Sequence, residues 1–190
     1  MIKKILIILT VVALFLSCLT TESVEEMTLE TPGRISHNGQ ELFLSGMNLA
    51  WISYGRDLTK FNEEEFIRAL DEIAATGANS VRWWIHINGS STPLWNGHLV
   101  TGIPEDALDN FERALDLAWE RGILIMPTLW SFDMLQEQSQ MDPIRNKKFL
   151  EDPEAVKSYL DNALTPIIER VGDHKAVVAW EVFNEPEGMV

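Results

Sequence analysis

The sequence is short of several things, and each shortage removes a class of answer. It holds one cysteine, Cys18, so no disulfide framework can staple the fold. It is short of positive charge: 15 Lys and Arg stand against 29 Asp and Glu, a net charge of −14. A nucleic-acid partner needs a basic face for its phosphates, and that balance excludes one. No glycine-rich phosphate loop follows the first strand pattern, which argues against a nucleotide-binding fold. Ser131 has no G-x-S-x-G elbow around it, which argues against a serine hydrolase. His86, His98 and Asp133 match no metal-ligand spacing, so neither a catalytic metal nor a cofactor is expected. The apolar run from Ile5 to Leu16, broken by Thr10, is too short to span a bilayer.

What is present begins with that run. Lys3 and Lys4 precede it and Ser17-Cys18 follow it. Residues 1–18 therefore read as an export signal. They resemble a bacterial lipoprotein signal in which Cys18 carries lipid; an ordinary secretory signal with an incidental cysteine is the alternative. Either way the protein is expected outside the cytoplasm, secreted or anchored to the cell envelope, touching a membrane only through that lipid. Residues 19–31, with Glu22, Glu25, Glu26 and Glu30, cannot build a core and read as an acidic linker. The folded part is expected from Pro32 onwards.

Strand and helix patterns then alternate. Glu41 to Trp51 has a strand pattern, preceded by a turn at His37-Asn38-Gly39. Asn62 can cap a helix, with Glu65 as the reciprocal cap. Phe66, Ile67, Leu70, Ile73 and Ala74 form one apolar stripe, and Gly77 ends it. Asn79 to Ile87 is a second strand, followed by a loop full of turn residues. Pro104 opens a second helix whose stripe is Ala107, Leu108, Phe111, Ala114, Leu115 and Ala118. Ile123 to Trp130 is a third strand. Asp152-Pro153 starts a third helix, in which Pro166 predicts a kink. Ala176 to Phe183 is a fourth strand. Near-continuous apolar strands separated by helices suit a parallel sheet buried on both faces. The linkers after strands are long and those after helices are short, which places the working face at the strand C-termini.

The residues at those ends carry the chemistry. Alternation puts Arg82, Trp84, His86 and Asn88 on one face, and Val81, Trp83, Ile85 and Ile87 on the other. An arginine inside an apolar strand is costly unless paired. Its natural partner is a carboxylate on a neighbouring strand, either as part of a site or as a structural ion pair. The fourth strand ends in Glu181, Asn184 and Glu185, and Pro186 breaks it there. That break can turn Asn184 and Glu185 into one cavity. An amide beside an acid suits sugar chemistry: one holds a hydroxyl, the other protonates the glycosidic oxygen. Glu181, deeper in the strand, reads as a supporting group. Of seven tryptophans, Trp51, Trp84 and Trp130 lie near strand C-termini and Trp95 lies in the loop after the second strand. Their flat faces can stack on pyranose rings. Trp83, Trp119 and Trp180 read as packing.

With these residues in hand, GMNLAWI, NSVRWW, PTLWSFDM and above all WEVFNEPEG resemble the glycoside hydrolases of clan A, and within it family 5, of the β-mannanase and cellulase kind. The resemblance covers about Pro32 to Val190. It implies an α/β fold, a (β/α)8 TIM barrel of which this chain supplies about the first four β/α units. It makes Glu185 the general acid/base and Asn184 the amide that holds the sugar 2-hydroxyl. Arg82 becomes the support of the catalytic carboxylates and Trp130 a substrate-lining residue. Trp51, Trp84, His86 and Trp95 complete the expected substrate contacts. Leu129-Trp130-Ser131 departs from the histidine many members carry near the end of strand three, and leans towards mannanase-like members. A retaining mechanism needs a second carboxylate, which in this clan comes from strand seven. A complete barrel takes about 250 residues, so the chain is expected to be the N-terminal part of the catalytic barrel, with the nucleophile beyond Val190. The implied function is a retaining endo-β-1,4-mannanase acting on a polysaccharide of the mannan or glucan type. The alternatives are an endo-β-1,4-glucanase of the same family and, if the chain ends at Val190, a non-catalytic glycan-binding lipoprotein.

Overall fold

The computed structural model describes residues 35–137 and 142–189. The expected export signal, the acidic linker and Cys18 lie outside these residues. A small antiparallel hairpin comes first, β1 (Ile35–His37) paired with β2 (Gln40–Leu42). Asn38 and Gly39 join them with φ of 50° and 75°, the double left-handed turn whose twist matches a two-residue hairpin.

The main sheet is parallel. Its order is β3 (Gly46–Leu49), β4 (Ser80–Ile87), β7 (Leu124–Ser131), β8 (Glu181–Asn184). Between these strands run α1 (Glu63–Ala75), α2 (Glu105–Glu120) and the pair α4 (Pro153–Tyr159) and α5 (Thr165–Val171). A second hairpin, β5 (Leu94–Asn96) with β6 (Leu99–Gly102), rises from the loop after β4. A further helix, α3 (Pro143–Glu151), precedes α4.

The caps follow the sequence. Asn62 accepts a hydrogen bond from the Glu65 backbone N–H at 3.2 Å, and Asp152 accepts one from Glu154 at 2.9 Å. Phe66, Leu70 and Ile73 on α1 and Phe111, Ala114, Leu115 and Ala118 on α2 are buried. They meet Val81, Trp83 and Ile85 on one face of β4 in a single apolar core, the expected helix-facing set. At roughly 25 cal/mol per Å² of apolar area, this burial is the main stabilising term. Gly46 lets β3 approach β4: a Cβ there would stand 2.5 Å from the Ser80 carbonyl oxygen.

Three expectations change, and one helix is added. The predicted strand Glu41 to Trp51 divides into β2, which pairs in the hairpin, and β3, which joins the sheet. The predicted strand Ala176 to Phe183 narrows to Glu181–Asn184, with an isolated bridge of Val177 to Ile125 before it. The kink predicted at Pro166 is a π-helical turn over Leu160–Leu164, just ahead of it. Pro166 has no N–H to give the carbonyl four residues back, and its ring crowds that carbonyl, so the helix widens there. Helix α3 carries its own Asp142-Pro143 start, with Asp142 capping Arg145 at 2.9 Å.

Candidate active site

Side chains from all four strands of the main sheet gather around Arg82. Its guanidinium donates to Asn48 Oδ1 on β3 at 3.2 Å, to Glu181 Oε2 on β8 at 2.7 Å and to Asn184 Oδ1 at 2.9 Å. From β7, the Thr128 hydroxyl donates to the same Glu181 oxygen at 2.5 Å. The arginine predicted to need a carboxylate has one, two strands away. Burial works to raise the Glu181 carboxyl. The hydrogen bonds from Arg82 and Thr128 and the Arg82 charge outweigh it and hold the group below the usual carboxylate range. Glu181 is thus the counter-charge of Arg82, the supporting part expected of it.

Asn184 is buried, and its amide is gripped at both ends. Its oxygen accepts from Arg82, and its Nδ2 donates to Ser131 Oγ at 3.2 Å. The next residue, Glu185, has φ of 48°. A non-glycine residue in the left-handed region is uncommon and holds strain. That backbone reversal breaks the strand alternation at the residue before Pro186. Glu185 is exposed beside Asn184. The chain behind it is pinned by a short 3-10 turn over Pro186–Met189, in which the Gly188 N–H returns to the Glu185 carbonyl at 2.9 Å. Gly188 lies against Phe132, where a Cβ would come within 2.8 Å of the ring.

Aromatic residues flank this centre. The Arg82 guanidinium sits 5.0 Å from the Trp84 ring centroid, a cation–π contact. Trp84 meets Trp51 edge-on at 5.4 Å, and Trp51 meets Tyr54 at 4.9 Å. Trp51 is 41% exposed, whereas Trp84 is 8% exposed and its indole N–H finds no acceptor among the described residues. The loop bearing Trp51 is tied by Asp57, which accepts from the backbone N–H groups of Ile52 and Ser53 and from Trp83 Nε1. The Tyr54 hydroxyl is pushed up to about 12, first by burial and then by the Asp133 charge.

His86, Trp130 and Trp95 lie in different surroundings from those expected. His86 is fully buried between Trp130 at 4.8 Å and Tyr159 at 5.6 Å, and its Nδ1 meets the Thr92 hydroxyl at 2.9 Å. Trp130 is 2% exposed and packs on Phe149 and Tyr159. Neither presents a face to a glycan in this arrangement. For His86 the strand alternation is broken by a register shift between Trp84 and Ile87, where β4 gains a residue relative to β7. A bulge ends the alternation, and Ile87, at φ of 58°, turns the chain. Trp95 is half-buried, with Arg145 4.2 Å over its ring and its own N–H given to the Gly89 carbonyl. The sequence does not by itself assign Asn48, Asp57, Thr128, Ser131 or Asp133 to this centre. Spacing alone does not mark Asn48 or Thr128, whose partners Arg82 and Glu181 lie 34 and 53 residues away in the chain. Among the described residues, no group of three or more His, Cys, Asp or Glu side chains is arranged to hold a metal ion.

Comparison with known proteins bears on this geometry. Residues 35–190 match the family described as Cellulase (glycosyl hydrolase family 5). A mannan endo-1,4-beta-mannosidase of Mytilus edulis is 35% identical over 161 residues, which take in 82% of this chain and 43% of that protein. Another, from Cryptopygus antarcticus, is 30% identical over 159 residues, 80% of this chain and 40% of that one. Among solved structures, a beta-1,4-mannanase from the sea hare Aplysia kurodai superposes with a TM-score of 0.74 at 34% identity, over 83% of this chain and 46% of that one. The chain spans about two fifths of the length of the curated relatives it matches.

Proposed function

The chain belongs to glycosyl hydrolase family 5, its parallel strands and helices forming the first part of a (β/α)8 barrel, and from that premise we propose that the full-length protein is a retaining glycoside hydrolase that cleaves β-1,4-mannan internally. The observation that carries this is the end of β8: Glu185 turned out by a left-handed backbone, beside an Asn184 whose amide is fixed by Arg82. The mannan preference is supported by the names of the relatives at 30% identity and above.

In this reading Glu185 gives its proton to the glycosidic oxygen as the bond to the anomeric carbon breaks. A carboxylate on the opposite face of the sugar attacks that carbon and forms a glycosyl-enzyme. Glu185, now ionised, takes a proton from water as the water displaces the carboxylate. Glu181 is engaged by Arg82 and Thr128, so the nucleophile is assigned to another carboxylate of the full-length protein, about 5 Å from Glu185. Asn184 holds the 2-hydroxyl of the reacting sugar. Arg82 orients Asn184 and adds positive potential where carboxylates gather. Exposed Trp51 offers a stacking face, with Trp84 edge-on behind it. The N-terminal residues support export, with lipid on Cys18; labelling with a fatty acid would be lost in Cys18→Ala.

The test uses the full-length protein on soluble β-mannan and on a β-1,4-glucan, scored by new reducing ends. Mannan is expected to be cut faster. Glu185→Gln is expected to lower turnover on mannan by about 10²- to 10⁴-fold. Near-normal turnover in that variant would overturn the role of Glu185. Faster cleavage of glucan would overturn the substrate.

A further inference from the structure

Ser131 stands between Asn184 and Asp133, and all of its hydrogen-bonding capacity is spent. Its hydroxyl proton goes to Asp133 Oδ2 at 2.5 Å. Its two lone pairs accept from the Asp133 backbone N–H at 3.5 Å and from Asn184 Nδ2 at 3.2 Å. A hydroxyl has one donor and two acceptor positions, so this one cannot rotate. The side chain is fully buried, and a bulk water cannot replace any of the three partners.

The direction of the chain matters more than its existence. A carboxylate can only accept, so Asp133 forces Ser131 to donate towards it. Ser131 must then present a lone pair to Asn184. Only the amide nitrogen of Asn184 can answer a lone pair, which leaves the amide oxygen for Arg82, itself a pure donor. Acceptor at one end and donor at the other thus fix which way round the amide lies. The amide nitrogen keeps a second N–H that neither Ser131 nor Arg82 uses.

We infer that Asp133 is a positioning residue for the reaction: through Ser131 it sets the orientation of the Asn184 amide and aims that remaining N–H at the 2-hydroxyl of the reacting sugar. Asp133 itself touches no reacting atom. It lies on the 3-10 turn over Phe132–Leu135 that caps β7, and the Tyr54 hydroxyl senses its charge. Without the carboxylate, the Ser131 hydroxyl is free to donate to Asn184, and Arg82 alone is left to hold the amide's orientation. The inference rests on the glycosidase reading given above, because it needs a sugar hydroxyl as the target of the amide.

The experiment compares wild type, Asp133→Ala, Ser131→Ala and Ser131→Thr in the full-length protein. Two substrates are used: an aryl β-mannobioside and its counterpart lacking the 2-hydroxyl on the reacting ring. Asp133→Ala and Ser131→Ala are expected to lose roughly tenfold in kcat on the first substrate, the worth of one well-placed hydrogen bond. On the second they should lose less than about twofold, since the contact they organise is already missing. Ser131→Thr, which keeps the hydroxyl, should retain most of the activity. Should Asp133→Ala not fold, Ser131→Ala carries the same comparison. Equal losses on both substrates would mean general damage to the fold, and would overturn the inference while leaving the glycosidase reading intact. A wild-type protein inactive on both substrates would remove the reading and the inference together.

Discussion

The C-terminal ends of β4 and β7 serve two neighbourhoods that use their side chains in opposite ways. Around Arg82 the groups are polar: Asn48, Thr128, Glu181, Asn184 and Ser131 hydrogen-bond with it or with one another and leave Glu185 exposed beside them. One bulge further along the same two strands, His86, Trp130, Phe149 and Tyr159 close into an aromatic block from which water is excluded. The polar set orders an acid and an amide. The aromatic set anchors β4 and β7 to α3, α4 and the β5–β6 hairpin. A flat aromatic face at a strand end therefore does not by itself denote a sugar platform. Here Trp51 is exposed, and Trp130 is walled in.

The two regions should fail differently when cut. Trp130→Ala removes a fully buried indole from the aromatic block and is expected to cost about 3–5 kcal/mol of stability, read by chemical denaturation of the full-length protein. At temperatures where the variant stays folded, kcat and KM on mannan should remain within about threefold of wild type. A loss of turnover out of proportion to the loss of stability would break the division drawn here and make Trp130 part of the working face. Arg82→Met is the opposite cut. It removes the donor to Glu181 and Asn184, and the arginine and glutamate side chains are 20% and 31% exposed. The stability cost is expected at about 2 kcal/mol, less than the 3–5 kcal/mol for breaking a fully buried pair. Turnover should fall by more than about tenfold even where the protein is fully folded. Unchanged turnover would reduce the polar network to a structural ion pair.

How much of this was legible in the sequence depended on the range of the force involved. Helix starts at Asn62 and Asp152 were legible because a cap is a contact between neighbours in the chain. The pairing of Arg82 with a fourth-strand carboxylate was legible because a guanidinium inside an apolar strand demands a counter-charge and few were available. Strand ends were not. Hydrophobicity reports burial rather than pairing, so Ala176–Trp180 looked like strand although the ladder begins at Glu181. The alternation of Arg82, Trp84, His86 and Asn88 failed at the bulge, because an inserted residue leaves no mark in the side-chain pattern. The sequence does not link Ser131 and Asp133 to Asn184, since that relay exists only once β7 and β8 are paired at Ser131 and Asn184.

A pH-dependent comparison gives the finest test of the aromatic block. Burial pushes the His86 imidazole down to about 3, against about 6.5 in an unfolded chain. The folded protein therefore keeps His86 neutral over a range in which the unfolded chain takes up a proton. As pH falls below about 6.5, the unfolded state gains that proton and the folded state does not, so stability drops. The slope approaches about 1.4 kcal/mol per pH unit and persists until the folded imidazole protonates near pH 3. Glu181, held below its usual range, also loses stabilisation in acid, and it does so in any variant that retains it. The comparison is thus wild type against His86→Phe, an aromatic swap that keeps the packing and forfeits the bond to Thr92. Denaturation midpoints of the two proteins should converge as pH is lowered from 7 to 4, with the variant gaining relative to wild type. Parallel curves would show that His86 can take a proton in the folded state. Water would then reach its free nitrogen, and the block would belong to the wet side of the molecule.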